Sequence, residues 1–139
     1  MRAVSTVGYS GTPLSKKLGI REGDTVLIVN DPGHAVALLA PLPAGATASD
    51  DVSDAQVVLF FTSARRELAE GIEALGEAIF PDASLWVAWP KRASGVATDM
   101  TEDVVRDLAL PLGLVDNKVC AVDATWSGLR LVWRKERRG

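Results

Sequence analysis

The sequence predicts one α/β domain built on a mostly parallel sheet with an antiparallel edge. Three nearly continuous apolar runs are bounded by turn residues, which is typical of strands buried on both faces of a parallel sheet. Helical patterns alternate with these runs, and two further strand-like segments close the chain as a hairpin. The three runs are Thr25–Val29, Gln56–Phe61 and Ser84–Trp89.

Capping residues and apolar spacing place the helices between the strands. We expect Thr12 to cap a short first helix that ends before Gly19, and Ser63 to cap a long helix. The long helix carries a clean apolar stripe, and Thr101 is the predicted cap of the last helix. The stripe consists of Leu68, Ile72, Leu75 and Ile79. A further short helix is predicted over Ala35–Ala40.

Weaker patterns predict the edges of the sheet. Residues Gly45–Ser49 form a weak edge strand, and Lys118–Ala124 pairs with Leu129–Arg134 around a turn at Trp126-Ser127-Gly128. A tryptophan at a hairpin tip is a candidate for an interface or for a lid. Packing of Trp126 against the sheet edge is the alternative.

Length and composition restrict the class of protein. The 139 residues fit one domain, in which 1–22 form a lead-in and a short helix. A formal net charge of −3 gives no reason to expect a nucleic-acid partner. No run approaches the ~20 apolar residues of a membrane span. Cys120 is the only cysteine and His34 is the only histidine, so we expect neither an intramolecular disulfide nor a tetrahedral zinc site. The lack of a disulfide suits a reducing compartment, so we expect a cytoplasmic location.

Ligands of such open sheets bind beyond the carboxyl ends of the strands. Four segments should therefore converge: Asn30–His34, Asp50–Asp51, Thr62–Arg65 and Pro90–Asp99. The last segment contains the strongest candidates for holding a phosphate or carboxylate, since it combines two cations, a hydroxyl and flexible backbone amides beside an aromatic wall. The candidates in the loop are Lys91, Arg92, Ser94 and Gly95, and the aromatic wall is Trp89, the last residue of the preceding strand. A solvated loop with ordinary charges is the alternative interpretation.

Other candidates for ligand contact lie in two segments. Asp31, Gly33 and His34 follow the first strand, where His34 could act as a base or a polar contact, or could be plain surface. Tyr9 and Ser10 could cover a ligand or only hold the N-terminus. Thr98 and Asp99 are expected to shape the start of the next helix, since Asp99 and Glu102 have the spacing of a capping box. No arrangement of nucleophile, base and acid is found, so no catalytic residue is assigned.

Two resemblances are found, at different ranges. The first is carried by Gly8-Tyr9-Ser10-Gly11-Thr12-Pro13-Leu14, Trp86-Val87-Ala88-Trp89-Pro90-Lys91, Ala93-Ser94-Gly95-Val96-Ala97-Thr98-Asp99, Val119-Cys120-Ala121-Val122-Asp123 and Trp126-Ser127-Gly128. Through these stretches the whole chain resembles an uncharacterised bacterial family that brings no established activity. The order of elements in residues 24–134 resembles, more distantly, the later strands of class I S-adenosylmethionine-dependent methyltransferases. This second resemblance implies a three-layer, Rossmann-like sheet, truncated relative to full methyltransferases, with 113–134 as its terminal hairpin.

The chain departs from the methyltransferase pattern at the cofactor turn. The glycine-rich turn of that fold is replaced by Asn30-Asp31-Pro32-Gly33, in which Pro32 removes a backbone donor and Asp31 places a negative charge near the expected carboxylate. Asp50 or Asp51 could match the acid that holds the ribose, but the following strand–helix unit is missing. We therefore expect no bound cofactor.

A non-catalytic module that binds a small anion or a partner protein is the first hypothesis. The alternatives are an S-adenosylmethionine-dependent methyltransferase with an atypical cofactor loop, and a structural or regulatory subunit that acts as a homo-oligomer through the hairpin edge with Trp126 and Trp133.

Overall fold

Residues 12–138, which a computed structural model describes, form a six-stranded sheet with helices on both faces. Each predicted strand core is present, with ends shifted by at most one residue for the three apolar runs. The strands are β1 (Thr25–Val29), β2 (Thr47–Ser49), β3 (Val57–Phe61), β4 (Ser84–Pro90), β5 (Leu114–Ala121) and β6 (Trp126–Trp133). The α-helices are α1 (Leu14–Lys17), α2 (Ala35–Leu39), α3 (Arg65–Ile79) and α4 (Glu102–Ala109).

The strand order is β2-β1-β3-β4-β6-β5. Strands β2, β1, β3 and β4 run parallel, whereas β6 pairs antiparallel with β4 and β5 pairs antiparallel with β6. Between Ser49 and Val57 the chain forms no helix or strand, and β2 is the edge of the sheet on that side. The predicted mostly parallel sheet, terminal hairpin and missing unit are therefore confirmed.

Strand β4 separates two apolar cores, because all seven of its residues are buried. On one face α3 and α4 cover Val87 and Trp89, and on the other face α1 and α2 cover Trp86 and Ala88. Trp86 is fully buried, and its indole N–H donates to the carbonyl of Leu18 at 3.0 Å. This bond fixes the end of α1 to the centre of the sheet.

The long helix begins differently from its prediction. Its apolar stripe is buried as expected, but the hydroxyl of Ser63 makes no cap. Instead Asp99 accepts the backbone N–H of Arg65 at 2.7 Å, and the hydroxyl of Thr62 accepts that of Ala64 at 3.1 Å. The cap is therefore supplied by a residue 34 positions away, which local sequence patterns do not reveal.

The other two predicted caps have opposite outcomes. Thr101 caps α4 as expected, since its hydroxyl accepts the backbone N–H of Val104 at 3.1 Å. Thr12 does not cap α1: Pro13 directly precedes the helix, and no side chain caps it. Gly19 follows the helix with φ of +81°, the left-handed conformation that favours glycine.

The terminal hairpin turns earlier than predicted. Trp126, Ser127 and Gly128 belong to β6, and the turn covers 122–125. Asp123 makes this turn, because its Oδ1 accepts the backbone N–H groups of Thr125 and Trp126, both at 2.8 Å. Trp126 is half-buried and packs edge-to-face on Phe61 with ring centroids 5.1 Å apart. The expectation of a tryptophan at the hairpin tip was therefore wrong.

In the described part of the chain no helix has the length and apolar character to cross a membrane.

Replacing Trp86 by phenylalanine tests the link between α1 and the sheet. The change leaves the buried carbonyl of Leu18 without its donor and opens a small cavity, so we expect a loss of about 2–3 kcal/mol in the free energy of unfolding. Trp126→Phe is the control, since the indole N–H of Trp126 makes no hydrogen bond within residues 12–138 and its ring is only half-buried. Urea unfolding measures both values, and an equal loss in the two variants would contradict the account.

Candidate functional site

The carboxyl ends of β1, β3 and β4 lie side by side, which brings the predicted segments to one edge of the sheet. The strand order reverses between β1 and β3, since the chain moves from β1 outward to β2 and then back to the other side of β1. Such a reversal opens the crevice in which ligands of open α/β sheets bind. The turn after β1 forms one wall of this edge, and the loop after β4 lies two strands away.

Asp31 closes the turn after β1 on itself. Its Oδ1 accepts the backbone N–H groups of Gly33, His34 and Ala35 at 2.7, 3.1 and 3.0 Å. Burial alone would raise the pKa of Asp31, but these three donors and the nearby His34 hold it below its ordinary value. The amides that begin α2 are therefore engaged by the protein's own carboxylate.

His34 has a partner that the sequence did not indicate. Its Nε2 lies 3.1 Å from Oδ2 of Asp123, which is 89 residues away in the turn between β5 and β6. The imidazole side chain is 45% exposed. Although burial tends to raise the pKa of Asp123, His34 and the amides of Thr125 and Trp126 lower it. The pair ties the β1 turn to the hairpin across the ends of β3 and β4.

The loop after β4 borders an open groove of about 550 Å³. Trp89, only 7% exposed, contributes to its wall, and Lys91 and Arg92 line it as well. The backbone N–H of Lys91 donates to the carbonyl of Thr125 at 2.7 Å, so the start of the loop is fixed to the hairpin. Within residues 12–138, no carboxylate lies within ion-pair distance of either Lys91 or Arg92.

The carboxylates that line the same groove already have partners. Asp99 accepts the N–H of Arg65, as described above, and Glu102 forms an ion pair with Arg106. Asp99 and Glu102 therefore form no capping box, contrary to the prediction. Thr98 donates its hydroxyl proton to the carbonyl of Ser63 at 2.6 Å. This places the far side of the groove firmly against the start of α3.

Two of the predicted ligand-contact residues, Ser94 and Gly95, shape the loop, and only Gly95 lines the groove. The hydroxyl of Ser94 donates to the carbonyl of Lys91 at 2.6 Å and accepts the N–H of Val96 at 3.2 Å. Gly95 has φ of +78°, and a Cβ added there would meet no atom within 4 Å. Its conformation, not close approach of another group, calls for glycine. Because the hydroxyl proton of Ser94 is donated to the carbonyl of Lys91, it is not available to a ligand in this arrangement.

Several sequence predictions stand outside this groove. Tyr9 and Ser10 lie outside the described residues. Cys120 is half-buried, and burial raises the pKa of its thiol, which suits a packing role better than that of a nucleophile. In the part of the chain that the structure describes, no group of three or more metal-ligating side chains occurs.

Comparison with known proteins gives the fold. No family model and no curated protein matches the sequence. Solved structures match over most of the chain. A SAM-dependent methyltransferase from Aquifex aeolicus has a TM-score of 0.56 and 14% identity, over 84% of this chain and 85% of that one. The chain shares the Rossmann-like fold of class I methyltransferases.

Two further structures show the same similarity. A protein described as a type 11 methyltransferase, from Sulfolobus solfataricus, has a TM-score of 0.58 and 11% identity, over 85% of this chain and 86% of that one. Magnesium protoporphyrin IX methyltransferase from Synechocystis PCC 6803, solved with bound SAM, has a TM-score of 0.56 and 10% identity, over 87% and 74% of the two chains. These identities establish common architecture alone.

The β1 turn does not fit a methionine carboxylate in the manner of a glycine-rich turn. The amides of Gly33, His34 and Ala35 donate to the carboxylate of Asp31. A second anion at this turn would find these N–H donors already used and would be repelled by the negative charge of Asp31. Asp50 and Asp51 are exposed after β2, where the resemblance expects a ribose contact. No strand of residues 12–138 lies beyond β2, so these residues supply no wall on that side of the crevice.

The carboxylates of Asp31 and Asp123 predict acid lability of this edge. Because both folded-state pKa values are lowered, the stability that they contribute is complete above the ordinary value and is lost as the pH falls through the lowered ones. We expect the free energy of unfolding to drop below about pH 5. The drop should be shallower in Asp31→Asn and Asp123→Asn.

Asp107→Asn is the control, since Asp107 is exposed on α4 and its carboxylate makes no hydrogen bond within residues 12–138. Urea unfolding from pH 7 to pH 3 gives the slopes. If all three variants lose stability in parallel with the wild type, the two turn carboxylates do not carry the effect.

Proposed function

We propose that this protein is a non-catalytic, methyltransferase-like module that binds a small anion in the groove after β4. The observation that carries the proposal is the pair of cations Lys91 and Arg92, which border the groove without a carboxylate partner in residues 12–138. Glu102 is paired with Arg106, so within residues 12–138 the groove sets two cations without a carboxylate partner against one unpaired lining carboxylate, Asp99. A phosphate or a carboxylate is the ligand class that such a site attracts.

The surroundings of the groove support a pre-formed site. The backbone of Lys91 is fixed to the hairpin, and the hydroxyl of Thr98 is bonded to the carbonyl that precedes α3. A rigid frame lowers the conformational entropy that a ligand must remove on binding. Trp89 and Met100, nearly buried beside the cations, give the groove an apolar wall against which an organic ligand could pack.

A partner protein and homo-oligomerisation stay predictions. The oligomeric hypothesis depended on Trp126 and Trp133 at an exposed hairpin edge. Trp126 packs on Phe61, and Trp133 packs on Phe80 while its indole N–H donates to the carbonyl of Gly76 at 2.8 Å. Both tryptophans thus have partners within the chain, which favours the anion-binding proposal over association through this edge.

Removing the cations tests the anion site. Inorganic phosphate and acetate serve as probes, and calorimetry measures their affinity. Each of Lys91→Gln and Arg92→Gln should weaken the better probe by about tenfold, the loss of one charged hydrogen bond. Arg66→Gln is the matched control, because Arg66 is an exposed cation on α3 that does not line the groove, and its loss should leave the affinity unchanged. Absence of saturable binding to the wild type, or equal losses in all three variants, overturns the proposal.

S-adenosylmethionine-dependent methyl transfer is the second candidate function. It is favoured by the fold shared with methyltransferases over more than four-fifths of the chain. The self-bonded carboxylate of Asp31 argues against it, since the amides of that turn are not free.

Calorimetry with the cofactor separates the two candidates. We expect no saturable heat from S-adenosylmethionine or S-adenosylhomocysteine at high micromolar concentration, because the β1 turn offers neither free donors nor a neutral surface. Saturable binding that Lys91→Gln and Arg92→Gln leave unchanged would favour the second candidate and contradict the first.

A further inference from the structure

A second groove, of about 420 Å³, lies at the opposite edge of the sheet, where β1, β3 and β4 begin. The loops before these strands form its walls, together with Arg130 of β6. This edge is remote from the carboxyl ends of the parallel strands, so an inference about it is independent of the proposed function.

Two guanidinium groups, those of Arg21 and Arg130, line this groove. Arg130 is half-buried and Arg21 is exposed. Burial lowers the pKa of Arg130, and the positive charge of Arg21 lowers it further, which shows that the two cations repel each other. Within residues 12–138 neither has a carboxylate at ion-pair distance, and the guanidinium of Arg130 donates to Asn117 Oδ1 at 3.1 Å. An anion between the two cations would relieve this repulsion.

Ser84 adds a buried hydroxyl group that has no hydrogen-bond partner in the described residues. It is the first residue of β4, it lines the groove, and it is only 3% exposed. Its hydroxyl makes no hydrogen bond in the described part of the chain. Ser84 and Trp86 lie on the same face of the sheet, and Trp86 is the register partner of Arg130. A buried hydroxyl without a partner is costly, so a ligand atom that accepts from Ser84 would stabilise the site.

Three carboxylates restrict what this groove accepts. Asp24 uses Oδ2 to accept the backbone N–H of Arg21 at 2.8 Å, while Asp54 and Asp82 are exposed in the loops before β3 and β4. A dianion would be repelled by these groups. A ligand that carries one carboxylate and one ammonium group would satisfy the arginines and the aspartates together.

We propose that this groove binds a small zwitterionic carboxylate of the amino-acid type. Arg21 and Arg130 hold its carboxylate, Ser84 donates a hydrogen bond to the same group, and the carboxylates of Asp54 and Asp82 attract its ammonium end.

Nuclear magnetic resonance of the arginine Nε–H groups tests this site in the full chain. Glycine, β-alanine and γ-aminobutyrate are the probes, since they vary the spacing between the two charges. At least one should shift the signals of Arg21 and Arg130 saturably, and acetate and methylammonium, each with one of the two charges, should bind at least about tenfold more weakly. The proposal is overturned if none of the three zwitterions shifts these signals saturably at concentrations up to about 50 mM. It is also overturned if inorganic phosphate binds more tightly than the best zwitterion.

Variants assign the binding to named residues. Arg21→Gln should weaken the best zwitterion by about tenfold without unfolding the domain, because Arg21 is exposed. Ser84→Ala should weaken it by a smaller factor. Arg134→Gln is the control, an exposed arginine just after β6 and outside this groove. Equal affinity in Arg21→Gln and Arg134→Gln contradicts the assignment. Lys91→Gln should leave this binding unchanged, which separates it from the anion site at the other edge.

Discussion

Strand β4 must be buried on both of its faces, and the rest of the structure follows from that constraint. Its seven residues are shielded by α3 and α4 on one side and by α1 and α2 on the other. Because β4 also has a parallel neighbour, β3, and an antiparallel one, β6, it is the place where the sheet changes direction. The same burial fixes where β4 ends, so that Pro90 and Lys91 emerge next to the hairpin at the ligand edge.

The two ends of this edge differ in how their polar groups are satisfied. At the β1 turn the chain supplies its own anion, and the amides before α2 bond to Asp31. At the loop after β4 the reverse holds: Asp99 accepts the backbone N–H of Arg65, Glu102 pairs with Arg106, and two cations have no carboxylate partner in the described residues. An unsatisfied charge attracts a ligand, and a satisfied donor does not. The binding surface that we propose therefore lies away from the turn that the methyltransferase fold uses.

The sequence predicts the sheet because a strand that is buried on both faces has a recognisable local pattern, a continuous apolar run. Side-chain hydrogen bonds between distant residues produce no local sequence pattern. Asp99 caps a helix 34 residues earlier, and His34 reaches Asp123 across 89 residues. The predicted hairpin turn was wrong because Ser127-Gly128 has turn-like composition, whereas the side chain of Asp123 makes the turn. The placement of Lys91 and Arg92 could be predicted from position alone, since they follow a buried strand at its carboxyl end.

The most direct test of this account is a map of backbone amide shifts in the presence of each ligand. If the β1 turn is closed by Asp31 and the site lies after β4, inorganic phosphate will shift the amides of residues 91–99 saturably. S-adenosylmethionine will then leave the amides of Gly33, His34 and Ala35 unshifted. Saturable shifts of those three amides with S-adenosylmethionine, and none in residues 91–99 with phosphate, would contradict it.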